Sequence, residues 1–222
     1  MKKILAVLLA TSSVAVFADT FQDFNNNIYA QYQYTNFSTP MPNGNSVSTY
    51  YNGWGVGGTF QTKNDIWVNA SATAGSLGAS DVNQNGSQMS IRAGYAFQFF
   101  GNEDSGFQII PYASFSAMNV ATVDFGSDTM GVTPAYTYGL GVQPEYRLLN
   151  SLKVSLGLGL AGTQFNGTQN FAYSVTPEVQ YDIAKTVMLS VGYTYSNSFN
   201  AQDNVYGANG ANTVTAKVGY LF

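Results

Sequence analysis

The segment Phe171-Ala172-Tyr173-Ser174-Val175-Thr176-Pro177-Glu178-Val179-Gln180-Tyr181-Asp182 decides how this chain is built. Its odd positions are aromatic, aliphatic or proline, and its even positions are small, polar or charged. That is the period of a β-strand and not of a helix. On the apolar face the aromatics stand at the two ends, with Val175, Pro177 and Val179 between them. Rings at both ends of an aliphatic band are the mark of a strand crossing a bilayer, because amphipathic rings settle at the headgroups. The step from Phe171 to Tyr181 is about 33 Å of strand, or about 25 Å of height at a tilt of about 40°. That height matches the lipid-facing band of a transmembrane barrel.

The same pattern extends in both directions. The segment Tyr136, Tyr138, Leu140, Val142, Pro144, Tyr146 repeats the aromatic–aliphatic–aromatic order. Near the C-terminus, Val214, Ala216, Val218, Tyr220 and Phe222 share one face, while Thr213, Thr215, Lys217 and Gly219 share the other. Alternation of this kind predicts ten strands, at about 26–37, 50–62, 66–77, 87–99, 107–118, 134–148, 152–163, 171–183, 187–196 and 213–222. Short breaks (63–65, 100–106, 149–151 and 184–186) alternate with longer Gly-, Asn- and Ser-rich ones at 38–49, 78–86, 119–133, 164–170 and 197–211. Short turns at one end and long loops at the other are the layout of an outer-membrane barrel. An even strand count puts both termini on the periplasmic side. Eight strands is the alternative count, since Pro111, Pro144 and Pro177 lie inside strands and are expected to mark bulges.

Composition agrees. Charged residues make up 9% of the 222 residues, against about 25% in soluble domains, while aromatics reach 15%. A soluble β-sandwich would show a charged outer face. Here the polar face is Gly, Ser, Thr, Gln and Asn, and Gly53, Gly55, Gly57, Gly139, Gly141, Gly157 and Gly159 all fall on it. The inner glycines either leave water-filled space or make room for Tyr51, Trp67 and Tyr112. An acidic chain with eight basic residues is unsuited to nucleic acid.

The N-terminus reads as an address. Met1-Lys2-Lys3, an apolar stretch from Ile4 to Phe17 and the small residues Val16 and Ala18 fit a secretory signal peptide cleaved before Asp19. The expected organisation is a signal peptide at 1–18, a periplasmic N-terminal segment at 19–25, and an all-β transmembrane antiparallel up-and-down β-barrel at 26–222.

Cysteine and histidine are both absent, which removes thiolate sites, the usual proton shuttle and the commonest metal ligand. The segment Asp81-Val82-Asn83-Gln84-Asn85-Gly86 matches half of a calcium loop of the EF-hand type. However, Arg92 stands where a bidentate Glu belongs, so a polar hairpin loop is the better reading. No enzyme, metal or cofactor is expected. The charges inside the strands, Arg92, Glu145, Arg147, Lys153, Glu178, Asp182 and Lys217, all keep to the polar face, as the cost of charge against lipid requires. They form the candidate lumen network. One reading is a charged constriction in a pore, with Arg92 and Lys217 facing Glu145 and Glu178. The other is a set of salt bridges that closes and stiffens a plugged barrel.

The chain resembles the small outer-membrane β-barrels of the OmpA/OmpX and opacity type. The resemblance rests on Pro111-Tyr112-Ala113, on Gly141 to Leu148 leading into Leu152 to Gly157, on Pro177 to Asp182, and on the end Val218-Gly219-Tyr220-Leu221-Phe222. It implies a bacterial outer-membrane location and contact with outer-membrane lipid and lipopolysaccharide. It also implies a terminal strand whose Val218, Tyr220 and Phe222 are read by the barrel-insertion machinery. The implied role is structural or surface-interacting, through loops that meet an external ligand or host surface. A small porin-like diffusion channel is the alternative. One departure is the strand count, eight in that family against ten here.

Overall fold

A computed structural model describes residues 21–40, 46–79, 82–101, 105–124, 129–165, 168–183, 185–199 and 210–222. The expected signal peptide at 1–18 lies outside the described residues, as does Asp81 of the half calcium loop. A short helix, α1 (Gln22–Asn25), leads into the first strand. The strands are β1 (Asn27–Pro40), β2 (Ser46–Gln61), β3 (Ile66–Ala79), β4 (Val82–Tyr95), β5 (Phe97–Gly101), β6 (Gly106–Asp124), β7 (Thr129–Leu149), β8 (Leu152–Phe165), β9 (Thr168–Ile183), β10 (Val187–Ser198) and β11 (Ala211–Leu221). All pairings are antiparallel, and apart from β1 with β11 they join sequence neighbours, except that β4 and β5 both pair with β6. They are two pieces of one wall, interrupted at the buried Ala96, whose N–H donates to the Asp65 carbonyl at 2.8 Å. The eleven segments therefore make ten walls.

The sheet closes on itself. β1 runs beside β11 from Asn27↔Leu221 to Phe37↔Ala211, so the first and last strands have no free edge. Closure satisfies backbone groups that hydrocarbon cannot. The apolar face points outward: Leu140, Leu160, Val56 and Val191 are each more than half exposed, and so are Tyr138 and Tyr220. Tyr29, Tyr51, Trp67 and Tyr112 point inward and are buried.

The short turns explain themselves locally. At 62–65, Thr62 Oγ1 accepts from the backbone N–H of Asn64 and Ile66, and Asp65 takes a left-handed conformation at φ 61°. Asp tolerates that region better than most residues.

Two expectations need correction. The breaks at 38–49, 78–86, 119–133 and 164–170 are mostly paired strand. β6 and β7 stay in register out to Asp124↔Thr129, and β3 and β4 out to Ala79↔Val82. Polar Asn, Gly and Ser residues read as loop in sequence, yet the described parts of these neighbouring strands continue to pair beyond the apolar band. Residues 82–86 accordingly belong to a hairpin strand.

Nor do the three prolines create bulges. Pro144 pairs with Ile109 on β6 while its β8 side goes unpaired, and register is unchanged from Val142↔Leu158 to Glu145↔Ser155. Pro177 pairs with Leu156, and the β9–β10 ladder resumes in register beyond it. Pro111 pairs with Val142 where the β4–β6 ladder ends. A proline lacks one N–H, which would reach only one neighbour, so each keeps its other ladder intact. The register shifts occur instead at Gln98/Phe100 and Arg147/Leu149, beside the short turns.

An outward Leu158, flanked by Val142 and Val175, lies mid-band. Leu158→Arg is expected to lower the unfolding free energy by about 2–4 kcal/mol. Urea titration of the barrel in phospholipid vesicles measures this. A change under about 0.5 kcal/mol would mean that this face does not meet lipid.

Candidate functional site

The lumen is filled from the short-turn end upward. Phe21 and Phe24, three residues apart around the single turn of α1, are both buried. The Arg147 guanidinium lies 5.3 Å from the centre of the Phe24 ring. Asn25 reaches three walls: its amide donates to Gln61 at 2.7 Å and to Glu145 at 3.0 Å, and its carbonyl accepts from Lys153 at 2.5 Å. Glu145, 1% exposed, also accepts from Gln108 at 2.6 Å and from Gln143 at 2.8 Å, and pairs with Lys153 at 3.4 Å. Gln180 and Asn27 both donate to the carbonyl of Phe24. A buried carboxylate is costly unless it is paired and hydrogen-bonded, and this one has an ammonium and three amide donors.

Beside this network, Trp67, Ala96, Ile110 and Tyr112 form a buried apolar cluster, and Tyr29, Met188 and Leu221 form another. The inner glycines make room for these rings. A Cβ on Gly57 would come within 2.6 Å of Tyr29, and one on Gly141 or Gly53 would collide with Tyr112 or Tyr51 respectively. The Tyr51 hydroxyl donates to Thr73 at 2.7 Å. Tyrosine therefore occupies the space beside these glycines.

At mid-height stand Lys217 and Glu178. The ammonium donates to both carboxylate oxygens at 2.8 Å, and Ser190 donates to the same carboxylate at 2.7 Å. Lys217 also lies 5.2 Å from the centre of the Tyr29 ring. Above this level is a cavity of about 470 Å³, walled by Gln, Ser and Thr side chains together with apolar ones such as Leu77, Phe115 and Met118, and reaching Phe37, Thr49, Asn170 and Ser198 at the long-loop end. Below it is a space of about 40 Å³. Tyr29, Asn69, Arg92, Glu178 and Lys217 line both, so they form the partition between the two.

The seven charges singled out in sequence thus divide. Lys153 meets Glu145, and Lys217 meets Glu178. Arg147 donates to Asn150 at 2.8 Å, and Asp182 accepts from Gln180 at 2.9 Å. Arg92 lines the same lower space as Glu145 and Glu178 but forms no ion pair with either among the described residues. Its cross-strand neighbours are Asn69 and Ser114, and its guanidinium lies over Tyr112, 5.6 Å from the ring centre. Strand register sets that depth, and single-sequence alternation carries no register between strands. Sequence reasoning missed the part played by Asn25, Gln61 and Gln108. The only signal was an unexplained Phe-x-x-Phe-Asn run ahead of the first strand. Val218, Tyr220 and Phe222 point outward and are exposed.

No protein-family model matches the chain, and no curated protein sequence does. Solved structures do match its fold. The translocator domain of the autotransporter NalP from Neisseria meningitidis is similar over 100% of this chain and 95% of that one, at a TM-score of 0.51 and 13% identity. The transport unit of the autotransporter AIDA-I from Escherichia coli is similar over 100% and 97%, at a TM-score of 0.52 and 8% identity. The beta domain of the Bordetella autotransporter BrkA is similar over 89% and 100%, also at 0.52 and 8%. The likeness is one of fold. This chain is an outer-membrane β-barrel protein, with the closed antiparallel wall and apolar exterior that such a location demands.

Lys153→Met would leave Glu145 buried beside amides alone. It is expected to destabilise the barrel by about 3 kcal/mol, and adding Glu145→Gln should recover most of the loss. Unfolding titrations of the two single variants and the double variant close the cycle. Strict additivity would mean that the pair is not coupled.

Proposed function

We propose that this protein is a closed outer-membrane barrel acting at the cell surface through its outer cavity and protruding hairpins, and that it neither conducts solutes nor catalyses a reaction. One observation carries the reading: Asn25 ties α1 to Gln61, Glu145 and Lys153 across the short-turn end. A diffusion path would have to break a buried ion pair and a set of buried amide bonds. The apolar clusters around Trp67 and Tyr29 narrow the same end.

The surface role finds support above the membrane. The β6–β7 ladder continues about 20 Å beyond the outer girdle at Tyr136, enough to place a hairpin clear of the headgroups. Segments in that position are well placed to meet an external ligand or a host surface. This is the kind of role implied by the resemblance to OmpA/OmpX-type barrels. Lipid and lipopolysaccharide contact the aromatic girdles, and the outward Val218, Tyr220 and Phe222 serve the insertion machinery as its recognition strand.

In planar bilayers the mature protein is expected to be electrically silent, and a variant lacking residues 19–25 to show unitary openings. Steady conductance by the unaltered protein, equal to that of the deletion variant, would favour the small diffusion channel instead.

A further inference from the structure

The inward cations of this barrel are not all treated alike. Lys153 and Lys217 each have a carboxylate within ion-pair distance, and Arg147 is held by Asn150. Arg92 has neither an ion pair nor a hydrogen bond among the described residues, only the face of Tyr112 beneath its guanidinium. It projects from β4 between Asn69 and Ser114, two neutral neighbours, into the partition under the 470 Å³ cavity. With Lys217 and Glu178 neutralising each other there, the floor of the cavity carries one positive charge that no carboxylate pairs with among the described residues. A guanidinium presents five N–H donors in a planar fork suited to a carboxylate or a phosphate. The walls above it include hydroxyls and amides: Ser71 and Ser90 meet at 2.9 Å, as do Thr137 and Thr163, and Gln33 donates to Gln88 at 2.8 Å. Leu77, Phe115 and Met118 line the same cavity, so a solute meets apolar surface together with many hydrogen-bonding partners, as in other small-molecule pockets.

The geometry points to the outer cavity as a binding site for a small, hydroxylated solute bearing one oxyanion, with Arg92 as the residue that receives the anionic group. The volume falls within the range of small-ligand pockets and suits a free solute of monosaccharide size. Entry is from the long-loop end. The site needs only the upper half of the lumen and stands whether or not the short-turn end conducts. The guanidinium lies over the Tyr112 ring, and the Lys217–Glu178 pair keeps the neighbouring ammonium occupied, so that specificity rests on Arg92.

Isothermal titration of the folded barrel in a low-chloride, neutral detergent buffer tests this, with D-glucuronate as the anionic probe and D-glucose as its neutral counterpart. Glucuronate is expected to bind at least tenfold more tightly than glucose. Arg92→Gln should erase that preference, and Arg92→Lys should retain part of it. Ser114→Glu places a carboxylate directly opposite Arg92, which leaves the arginine present but internally paired, and should weaken glucuronate at least tenfold. The boiling-dependent shift in gel mobility shows that each variant is folded. Equal binding of the two sugars, no binding of either, or unchanged glucuronate affinity in folded Arg92→Gln or Ser114→Glu protein would overturn the assignment.

Discussion

The seam between β1 and β11 is the constraint from which the rest follows. Inside hydrocarbon an unpaired N–H or C=O costs several kcal/mol, so a sheet can cross only if its first and last strands pair. Here they pair from Asn27↔Leu221 to Phe37↔Ala211, and Phe222 adds an N–H bond to the Asn26 carbonyl at 3.0 Å beyond the last ladder pair. Once the wall is closed, each side chain has only two destinations, lipid or lumen. Every charge within the strands must then share a narrow interior with the others.

That crowding explains the lumen. Ten walls enclose too little space for rings and charges side by side unless some positions carry no side chain at all. Tyr29 and Tyr112 lie against Gly57 and Gly141, and Tyr51 against Gly53. Charges are then brought together at two depths. Glu145 and Lys153 are locked with Asn25 at the near end, and Glu178 and Lys217 at mid-height. Bonds between buried groups in low dielectric are strong and hard to rearrange, so the near end is held by a network that resists local rearrangement. The upper half, by contrast, contains hydroxyls and amides paired across strands, a softer wall around open space.

The prolines show how a closed wall tolerates local defects. Each interrupts at most one of its two ladders and leaves the register of both neighbours unchanged. At the gap beside Pro177, the hydroxyls of Thr176 and Thr194 meet at 3.0 Å, a side-chain bond where ladder pairing is missing. The real irregularities sit beside short turns, where water reaches the backbone and a shifted register exposes nothing to lipid.

Periodicity alone was enough to establish the bilayer-crossing part of the strands, though not their extensions beyond it, together with the direction each residue faces, the aromatic girdles and the segregation of charge. These are local properties: a period of two assigns Val175 to lipid and Glu178 to lumen without reference to any other strand. The ten-walled count and the inward Tyr51, Trp67 and Tyr112 followed from the same rule. What only the tertiary structure decided is which inward residues stand at the same height. That depends on the stagger of strands around the closed wall, which brings Asn25 to Glu145 across 120 residues of chain and leaves Arg92 beside Asn69 and Ser114. Alternation specifies a face but not a level, and pairing of charges in a lumen is a matter of level.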